Sequence, residues 1–210
     1  MNTILFLDFE TSGLPRKGEG FPRAVSIAWG IAGTDNGIVD LQYHVIRPDG
    51  FTISAEATAV HGISQRKALE VGIGIRSIVD QLEAVLNRYR PSQLVAHNLN
   101  FDLHVISHEC KRMNRACPIE GLSEFCTMKH STELCAIPGS RGGYKWPKLE
   151  ELYQFLFGRN VAGAHNALID VCATIECYQE LSKRGRIGDG VPLRQIGNIN
   201  QFLARRQCHP

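Results

Sequence analysis

Two carboxylates stand one residue apart inside an apolar run near the start of the chain, in the segment Ile4-Leu5-Phe6-Leu7-Asp8-Phe9-Glu10. The run predicts a buried strand, and alternate residues of a strand project from the same face, so Asp8 and Glu10 should lie side by side. Neighbouring carboxylates in an apolar setting repel each other and resist losing water. A cation would neutralise them, and oxygen ligands suit Mg²⁺ or Mn²⁺. An edge strand that runs out into solvent is the alternative interpretation.

Two further acids and a histidine also follow apolar patterns. Asp102 stands beside the inward stripe of a predicted helix, just after a short apolar strand, and Asp170 flanks the stripe of the last core helix. Four acids drawn toward a core need cations, and two metal ions are the usual device for displacement at phosphorus. His165 precedes Asp170 by five positions, about 140° on an ideal helix. We therefore place His165 in the loop before that helix, where it can accept a proton from a water.

Hydrophobic periodicity predicts the elements that position these residues. Alternation over residues 25–31 and 39–45 predicts two strands joined by a turn that contains Asn36-Gly37, so the first three strands form an antiparallel meander. The rest of the chain predicts helices, short strands and loops in turn: helices at 54–62, 75–89 and from Leu99, strands at 94–96 and 124–128, a loop at 136–147, a helix opened by Pro147, the last core helix from His165-Asp170 to Leu181, a linker at 183–190 and a weaker helix at 193–203.

Composition bounds the class of protein. The 210 residues, 43% hydrophobic and 21% charged, fit one large domain with a small appendage, which we divide into residues 1–185 and a helical C-terminal extension over residues 186–210. The net charge of +2 neither supports nor excludes a polyanionic partner. The seven cysteines include no CxxC pair, and the sequence shows no signal peptide, which predicts a cytoplasmic protein with free thiols. No apolar run is long enough for a membrane span, so we expect no membrane partner.

Three segments together resemble the exonuclease motifs of the DnaQ-like (DEDDh) 3′–5′ exonucleases. They are Phe6-Leu-Asp8-Phe-Glu10-Thr11-Ser-Gly13-Leu14, Asn98-Leu-Asn-Phe101-Asp102 and His165-Asn-Ala-Leu-Ile-Asp170, and Ala59-Val60-His61-Gly62-Ile63 is similar to a helix-end element of the same family. The resemblance covers residues 3–181. It implies an α/β, ribonuclease-H-like mixed sheet flanked by helices, and release of nucleoside 5′-monophosphates from a 3′ end.

The resemblance also implies a role for each motif residue. Asp8, Glu10 and Asp170 would contact one Mg²⁺ or Mn²⁺, Asp8 would bridge to a second ion, and Asp102 would support the site, often through water. His165 would be the general base. The tyrosine branch of the superfamily places Tyr four residues before the last Asp, where this chain has Asn166, so the sequence indicates the histidine branch.

Substrate contacts are also implied by the resemblance, and each has an alternative. Thr11, Gly13 and Leu14 would line the pocket of the terminal nucleotide, or form only a tight turn after the strand. His61 resembles a pocket histidine, or caps its own helix. Asn98 would contact substrate, or hold Asp102 or the strand end. A further group of residues fits either the path of a single strand or a solvated loop: Arg16, Lys17, Arg141, Tyr144, Lys145, Trp146 and Lys148.

The function predicted from these features is metal-dependent 3′–5′ hydrolysis of single-stranded nucleic acid. DNA is favoured because Thr11 stands where RNA-trimming relatives carry Met. The alternatives are an RNA-trimming exoribonuclease of the same family and an inactive nucleic-acid-binding module. The module is disfavoured because none of the four acids or His165 is missing. A homodimer, a polymerase or repair partner, and the role of Arg205-Arg206 are left open.

Overall fold

The computed structural model describes residues 2–15, 20–34 and 37–193. Within these residues a five-stranded mixed sheet is flanked by helices on both faces. Its strands are β1 (Thr3–Thr11), β2 (Ala24–Gly33), β3 (Gly37–Val45), β4 (Gln93–Ala96) and β5 (Ser123–Cys126), in the spatial order β3-β2-β1-β4-β5. β1, β2 and β3 pair antiparallel, whereas β4 and β5 extend the sheet in parallel with β1. The predicted meander with added parallel strands is confirmed.

The described residues form eight helices, of which the first four lie between strands and the last four follow β5. They are α1 (Ala55–His61), α2 (Gln65–Val71), α3 (Ile75–Tyr89), α4 (Leu99–Arg112), α5 (Thr127–His130), α6 (Thr132–Cys135), α7 (Leu149–Phe157) and α8 (Ala167–Lys183). Local capping sets several of these bounds. The Ser54 side chain accepts a hydrogen bond from the Ala57 N–H, and Gly62 ends α1 in the left-handed conformation, as the Ser and Gly positions predicted. None of the helices in the described residues is long and apolar enough to cross a membrane.

The sheet is covered on both faces, so its central strands are buried on both sides. All ten residues of β2 are buried, including Ser26, which sequence alternation placed opposite the apolar residues. One face packs against α7 and α8, where Phe6 meets Val171 and Ile175 in a single cluster. The other face packs against α3 and α4. Two-sided burial is expected when crossover helices cover a sheet that contains parallel strands.

Several predicted bounds are corrected by the structure. The last strand ends at Cys126, because Thr127 begins the short helix α5, whereas the sequence predicts a strand that continues to Met128. Pro147 lies two residues before α7 rather than opening it, and Lys148 occupies the N-cap. The short helices α2, α5 and α6 were not predicted, since each is too brief to show a clear period.

The segment after α8 packs on the core where a linker was predicted. Ile187 and Leu193 are buried in the cluster on the α8 face. The Tyr178 hydroxyl lies 2.7 Å from the Val191 carbonyl, and the Val191 N–H donates to the buried Gln93 side chain. Residues 16–19 and 35–36 lie outside the described residues, as do the segment beyond residue 193, for which a helix was predicted, and Arg205-Arg206 within it. The division at residue 185 stays a prediction.

Candidate active site

Asp8 and Glu10 lie on the α8 side of the sheet, near the carboxyl end of β1. Ile4 and Phe6 pack in the cluster on that face, and alternate residues continue the same face to the two acids. The pairing of β1 with β2 shifts register between Glu10 and Thr11. Bulges of this kind bend a strand and redirect side chains, and they are frequent beside active sites. The strand thus presents both carboxylates together, as the sequence predicted.

Asp170 reaches the site from the first turn of α8. The Asn166 side chain caps this helix by accepting the Leu168 N–H at 3.1 Å. The helix lies close to β2 at Gly30, where an added Cβ would stand only 3.0 Å from Ile175 Cδ1. A glycine at that position lets α8 pack tightly, so that the first turn of the helix lies beside the end of β1.

Three carboxylates converge at this point. One oxygen each from Asp8, Glu10 and Asp170 all lie within 4.8 Å of one another. All three side chains are partly buried, and hard oxygen ligands at this spacing suit Mg²⁺ or Mn²⁺. The donor set therefore fits a divalent cation, and the alternative of an edge strand is wrong because β1 is the central strand of the sheet.

Burial and mutual repulsion raise the pKa values of these acids and so disfavour their ionised forms when no cation is bound. The pKa of Asp8 is raised well above its usual range, first by desolvation and then by the charges of Asp102, Asp170 and Glu10. Desolvation also raises the pKa of Glu10 to about 7, with a further contribution from Asp170. The pKa of Asp170 is raised to about 6, again mainly by desolvation. A bound cation would offset each of these effects.

These shifts predict how the stability of the metal-free chain depends on pH. The folded chain holds protons on Glu10 and Asp170 that the unfolded chain has already lost, so stability falls as pH rises from about 4.5 to about 7. For Glu10 alone the loss is on the order of 3 kcal/mol. Urea unfolding in EDTA at pH 5 and pH 8 measures it, and Mn²⁺ at pH 8 should restore stability. Equal pH dependence in wild type and Glu10→Gln would contradict the assignment.

Asp102 lies next to the three-carboxylate cluster but outside it. The sequence placed it beside the inward stripe of α4, whereas the structure buries it within that stripe at 2% exposure. Its Oδ1 accepts the Phe9 backbone N–H at 3.2 Å, which ties α4 to β1. Its charge still raises the pKa of Asp8. Asp102 is thus positioned to support the cluster, and it is not among the residues whose oxygens converge.

His165 lies in the loop before α8, as predicted. Its backbone N–H donates to Asp170 Oδ2 at 3.1 Å, and its left-handed φ of 65° turns the chain into the helix. Its imidazole is exposed, and Nε2 lies 3.4 Å from Glu150 Oε1 on α7. Glu150 was not anticipated. The sequence could place Glu150 within the helix after Pro147. Nothing in the neighbouring sequence indicates that this helix lies beside His165.

A cavity of about 440 Å³ opens beside two of the three acids. Its lining includes Asp8, Asp170 and His165, together with Asn98 and the loop residues Trp146, Pro147 and Lys148. Trp146 is 62% exposed, an unusual state for a large apolar side chain. His97, another residue that the sequence did not single out, bonds the Pro147 carbonyl through Nε2 at 3.0 Å and thereby holds this loop.

The predicted substrate contacts divide into exposed and buried groups. Leu14 is 80% exposed, and Asn98 is exposed with no side-chain capping bond to α4. Thr11 is buried, and its hydroxyl donates to the Gly13 carbonyl, which supports the tight-turn alternative. Gly13 has open space around it, since an added Cβ would meet nothing within 4 Å. His61 is buried and its Nδ1 accepts the Ile63 N–H, as a helix-end residue would.

The mixed sheet, with carboxylates converging at the end of its central strand, defines a ribonuclease-H-like nuclease domain. The chain matches the model of the family described as Exonuclease over residues 5–178. It therefore belongs to the DnaQ-like exonuclease family, and the prediction of an enzyme of the 3′–5′ exonuclease class is confirmed at the level of the family.

Curated relatives and solved structures agree with this assignment. The chain is 26% identical over 179 residues to DNA polymerase III subunit epsilon of Salmonella typhimurium, covering 83% of this chain and 69% of the relative. It is 29% identical over 133 residues to the same subunit of Buchnera aphidicola, covering 61% of this chain and 50% of the relative.

The similarity to solved structures concerns the fold. A product-bound exonuclease I superposes with a TM-score of 0.72 at 17% identity, covering 90% of this chain and 45% of the other. Escherichia coli exonuclease I in complex with a dA16 oligonucleotide gives a TM-score of 0.72 at 18% identity, covering 90% and 42%. This chain thus spans less than half the length of the exonuclease I chains.

Proposed function

We propose that this chain is a metal-dependent exonuclease that removes nucleoside 5′-monophosphates from the 3′ end of single-stranded nucleic acid, with DNA favoured. The observation that carries the proposal is the convergence of Asp8, Glu10 and Asp170, beside a cavity that Asp8, Asp170 and His165 line together. Clustered acids with raised pKa values and a nearby base are the constellation expected of a hydrolytic site.

The three converging acids would hold Mg²⁺ or Mn²⁺, with Asp8 shared between two ions and Asp102 supporting the site from behind. When bound, the ions would make a water more acidic and stabilise negative charge on the phosphate oxygens. Asp8 and Glu10 are fixed by β1, and the His165 N–H fixes the Asp170 carboxylate. The acids are thus held in position before substrate arrives, which limits reorganisation during the reaction.

His165 would act as general base. Its imidazole accepts the proton of the attacking water, the water oxygen bonds to phosphorus, and the bond from phosphorus to the 3′ oxygen breaks. The 3′ oxygen of the shortened strand leaves with the electron pair of that bond and takes a proton from solvent to become a hydroxyl, and the monophosphate leaves with a 5′ phosphate. When His165 Nε2 carries a proton, Glu150 accepts a hydrogen bond from it. Glu150 would therefore orient the imidazole of His165.

Exposed side chains of the cavity lining and of the turn after β1 would hold the strand. Leu14 would pack on the terminal base, Asn98 would contact the strand, and Trp146 would stack on a second base. The preference for DNA is supported by Thr11, where RNA-trimming relatives carry Met. It is also supported by the relatives, which are named as a DNA polymerase subunit and as an exonuclease complexed with a dA16 oligonucleotide. The name of the first makes a polymerase a candidate partner.

Replacing Glu150 tests its proposed positioning role. We expect Glu150→Ala to lower kcat about fivefold, because an exposed carboxylate beside the imidazolium that forms when His165 takes the proton contributes up to ~1 kcal/mol. Glu150→Gln should recover part of the rate, since it keeps an acceptor oxygen, and KM should change little in both. Steady-state kinetics on a single-stranded oligonucleotide measure the effect. Glu151→Ala is unsuitable as a control because Glu151 caps α7, so Glu133→Ala on α6 serves instead.

A gel assay tests the proposed function as a whole. Oligonucleotides labelled at the 3′ or 5′ end, as single-stranded DNA, duplex DNA or RNA, would be incubated with Mg²⁺, Mn²⁺ or EDTA. We expect a 5′-labelled DNA strand to shorten stepwise, a 3′ label to appear at once as mononucleotide, and EDTA to stop both. Cleavage from the 5′ end, or equal rates in EDTA, would reject the proposal.

A further inference from the structure

A second cavity, of about 560 Å³, lies on the α3 and α4 side of the sheet, away from the three acids. We call it the arginine cavity, because four arginines line it together with two acids, Asp49 and Glu109: Arg23, Arg47, Arg76 and Arg112. Its lining carries a net charge of +2. Arginine presents a planar fork of donors that matches a phosphate group, so this lining suits a phosphate-bearing ligand.

Two of the arginines are fixed by a buried carboxylate. Glu109 is 1% exposed, and its Oε1 accepts from Arg23 Nε at 2.9 Å, Arg112 Nη1 at 3.2 Å and the Ala24 N–H at 3.0 Å. One carboxylate therefore faces two guanidinium groups. Both arginines also donate to backbone carbonyls, of Asp49 and Phe21. Their positions are set before any ligand arrives, which reduces the entropic cost of binding.

The other two arginines have no acidic partner in the described part of the chain. Arg76 Nη2 donates to the Met113 carbonyl at 3.0 Å, which leaves its charge uncompensated. Arg47 is exposed, and no ion pair is found for it among the described residues. Uncompensated positive charge in a concave site raises the local concentration of anions. The cavity thus combines two guanidinium groups held by Glu109 with two whose charge has no acidic partner among the described residues and which could donate to a phosphate.

Hydrogen bonds of the Arg23 backbone connect the arginine cavity to the turn that follows β1. The Ser12 N–H donates to the Arg23 carbonyl at 2.8 Å, and the Arg23 N–H donates back to Ser12 Oγ at 3.0 Å. Ser12 follows Glu10 by two residues, which is about 7 Å along an extended chain. The cavity and the acids lie on opposite faces of the sheet, so a strand bound at both would pass around the carboxyl end of β1.

We propose that the arginine cavity binds phosphate groups of a nucleic-acid strand outside the acidic site. The charge of the cavity is independent of the reaction, whereas the choice of a nucleic-acid strand as ligand rests on the proposed function. The cavity would add sequence-independent affinity, because contacts to phosphate carry no base information.

Strand binding without catalysis tests this inference. A fluorescein-labelled single-stranded oligothymidylate would be titrated with the full chain in EDTA, and its anisotropy followed at several salt concentrations. We expect the double variant Arg47→Ala/Arg76→Ala to bind about tenfold more weakly at low salt. The slope of log affinity against log salt should decrease in magnitude by about 1.4, or about 0.7 for each phosphate that the variant no longer neutralises. Both side chains are exposed, and circular dichroism would verify the fold.

Arg88→Ala is the matched control. Arg88 is an exposed arginine in the last turn of α3, about 18 Å along that helix from Arg76. It removes one positive charge from α3, as the single variant Arg76→Ala does, and is compared with that variant. We expect wild-type affinity and salt slope for Arg88→Ala. A double variant that binds the strand with wild-type affinity and slope would overturn the inference. A second outcome would also overturn it: pyrophosphate stabilises the wild-type fold against unfolding but not the double variant, while both proteins bind the strand equally well.

Failure of this inference is distinguishable from failure of the proposed function. Hydrolysis of p-nitrophenyl thymidine 5′-monophosphate by the unmodified chain with Mn²⁺ reports on the acidic site alone. If the unmodified chain hydrolyses this substrate and the double variant binds the strand as wild type does, the proposed role of the arginine cavity is rejected and the nuclease proposal stands. No hydrolysis, together with weakened strand binding, would reject the nuclease proposal and leave the cavity as a strand-binding site.

Discussion

Asp8→Ala is expected to abolish turnover while the chain stays folded. Asp8 is one of the three acids whose oxygens converge, and its proposed role is to be shared by two ions. Losing that ligand removes several kcal/mol of charge stabilisation, so kcat should fall by about 10⁴-fold or more. Release of mononucleotide from a labelled single strand, with saturating Mn²⁺, measures the loss.

The same substitution should not weaken the metal-free fold. The raised pKa of Asp8 arises from desolvation and repulsion, so removing the carboxylate relieves an unfavourable interaction. We expect the free energy of unfolding in EDTA at pH 8 to be unchanged or higher than in wild type. Asp80→Ala is the control, since Asp80 is an exposed acid paired with Arg115, and it should keep full activity. Substantial turnover by Asp8→Ala would exclude the bridging role.

His165→Ala is expected to slow hydrolysis by about 10²–10⁴-fold, the range that a general base contributes. The effect should fall mainly on kcat, because His165 is proposed to move a proton rather than to hold the strand. Added imidazole should restore part of the rate, since it can enter the exposed space that the side chain leaves. Rates of mononucleotide release as a function of pH, with and without imidazole, measure both effects.

His104→Ala provides the comparison for this variant. His104 is an exposed histidine on α4 whose Nδ1 bonds the Asn100 carbonyl, and it takes no part in the proposed chemistry. It should retain the wild-type rate and pH profile. If His165→Ala shows the same, the base is another group, and the contact with Glu150 would have only a structural role.

Much of the fold could be predicted because its signals are local. The bounds of α3 at Ile75 and Tyr89 match the helical stripe that the sequence displays, and Ser54 and Gly62 mark the ends of α1. Short elements were missed or misplaced for the opposite reason. In α5, four residues cannot display a period, and Cys126 could not be recognised as the end of β5 without its partner in β4.

The same division applies to the site. The sequence by itself determined which residues could do chemistry: Asp8 and Glu10 on one strand face, Asp102 and Asp170 beside the apolar stripes of two helices, and His165 in the loop before the second of these. These assignments depend on neighbours along the chain, and the spacing of residues records such neighbours directly.

Only the tertiary structure decided which of these residues meet. Close packing of α8 on Gly30 brings Asp170 to the first strand. Asp102 instead accepts a hydrogen bond from the Phe9 N–H and stays outside the three-carboxylate cluster. Glu150 lies beside His165. The tertiary structure also gathered the arginines from four separate parts of the chain into one cavity. Distances across the fold, burial and the pKa shifts they cause are set by contacts between residues far apart in sequence, and hydrophobic periodicity carries no information about those contacts.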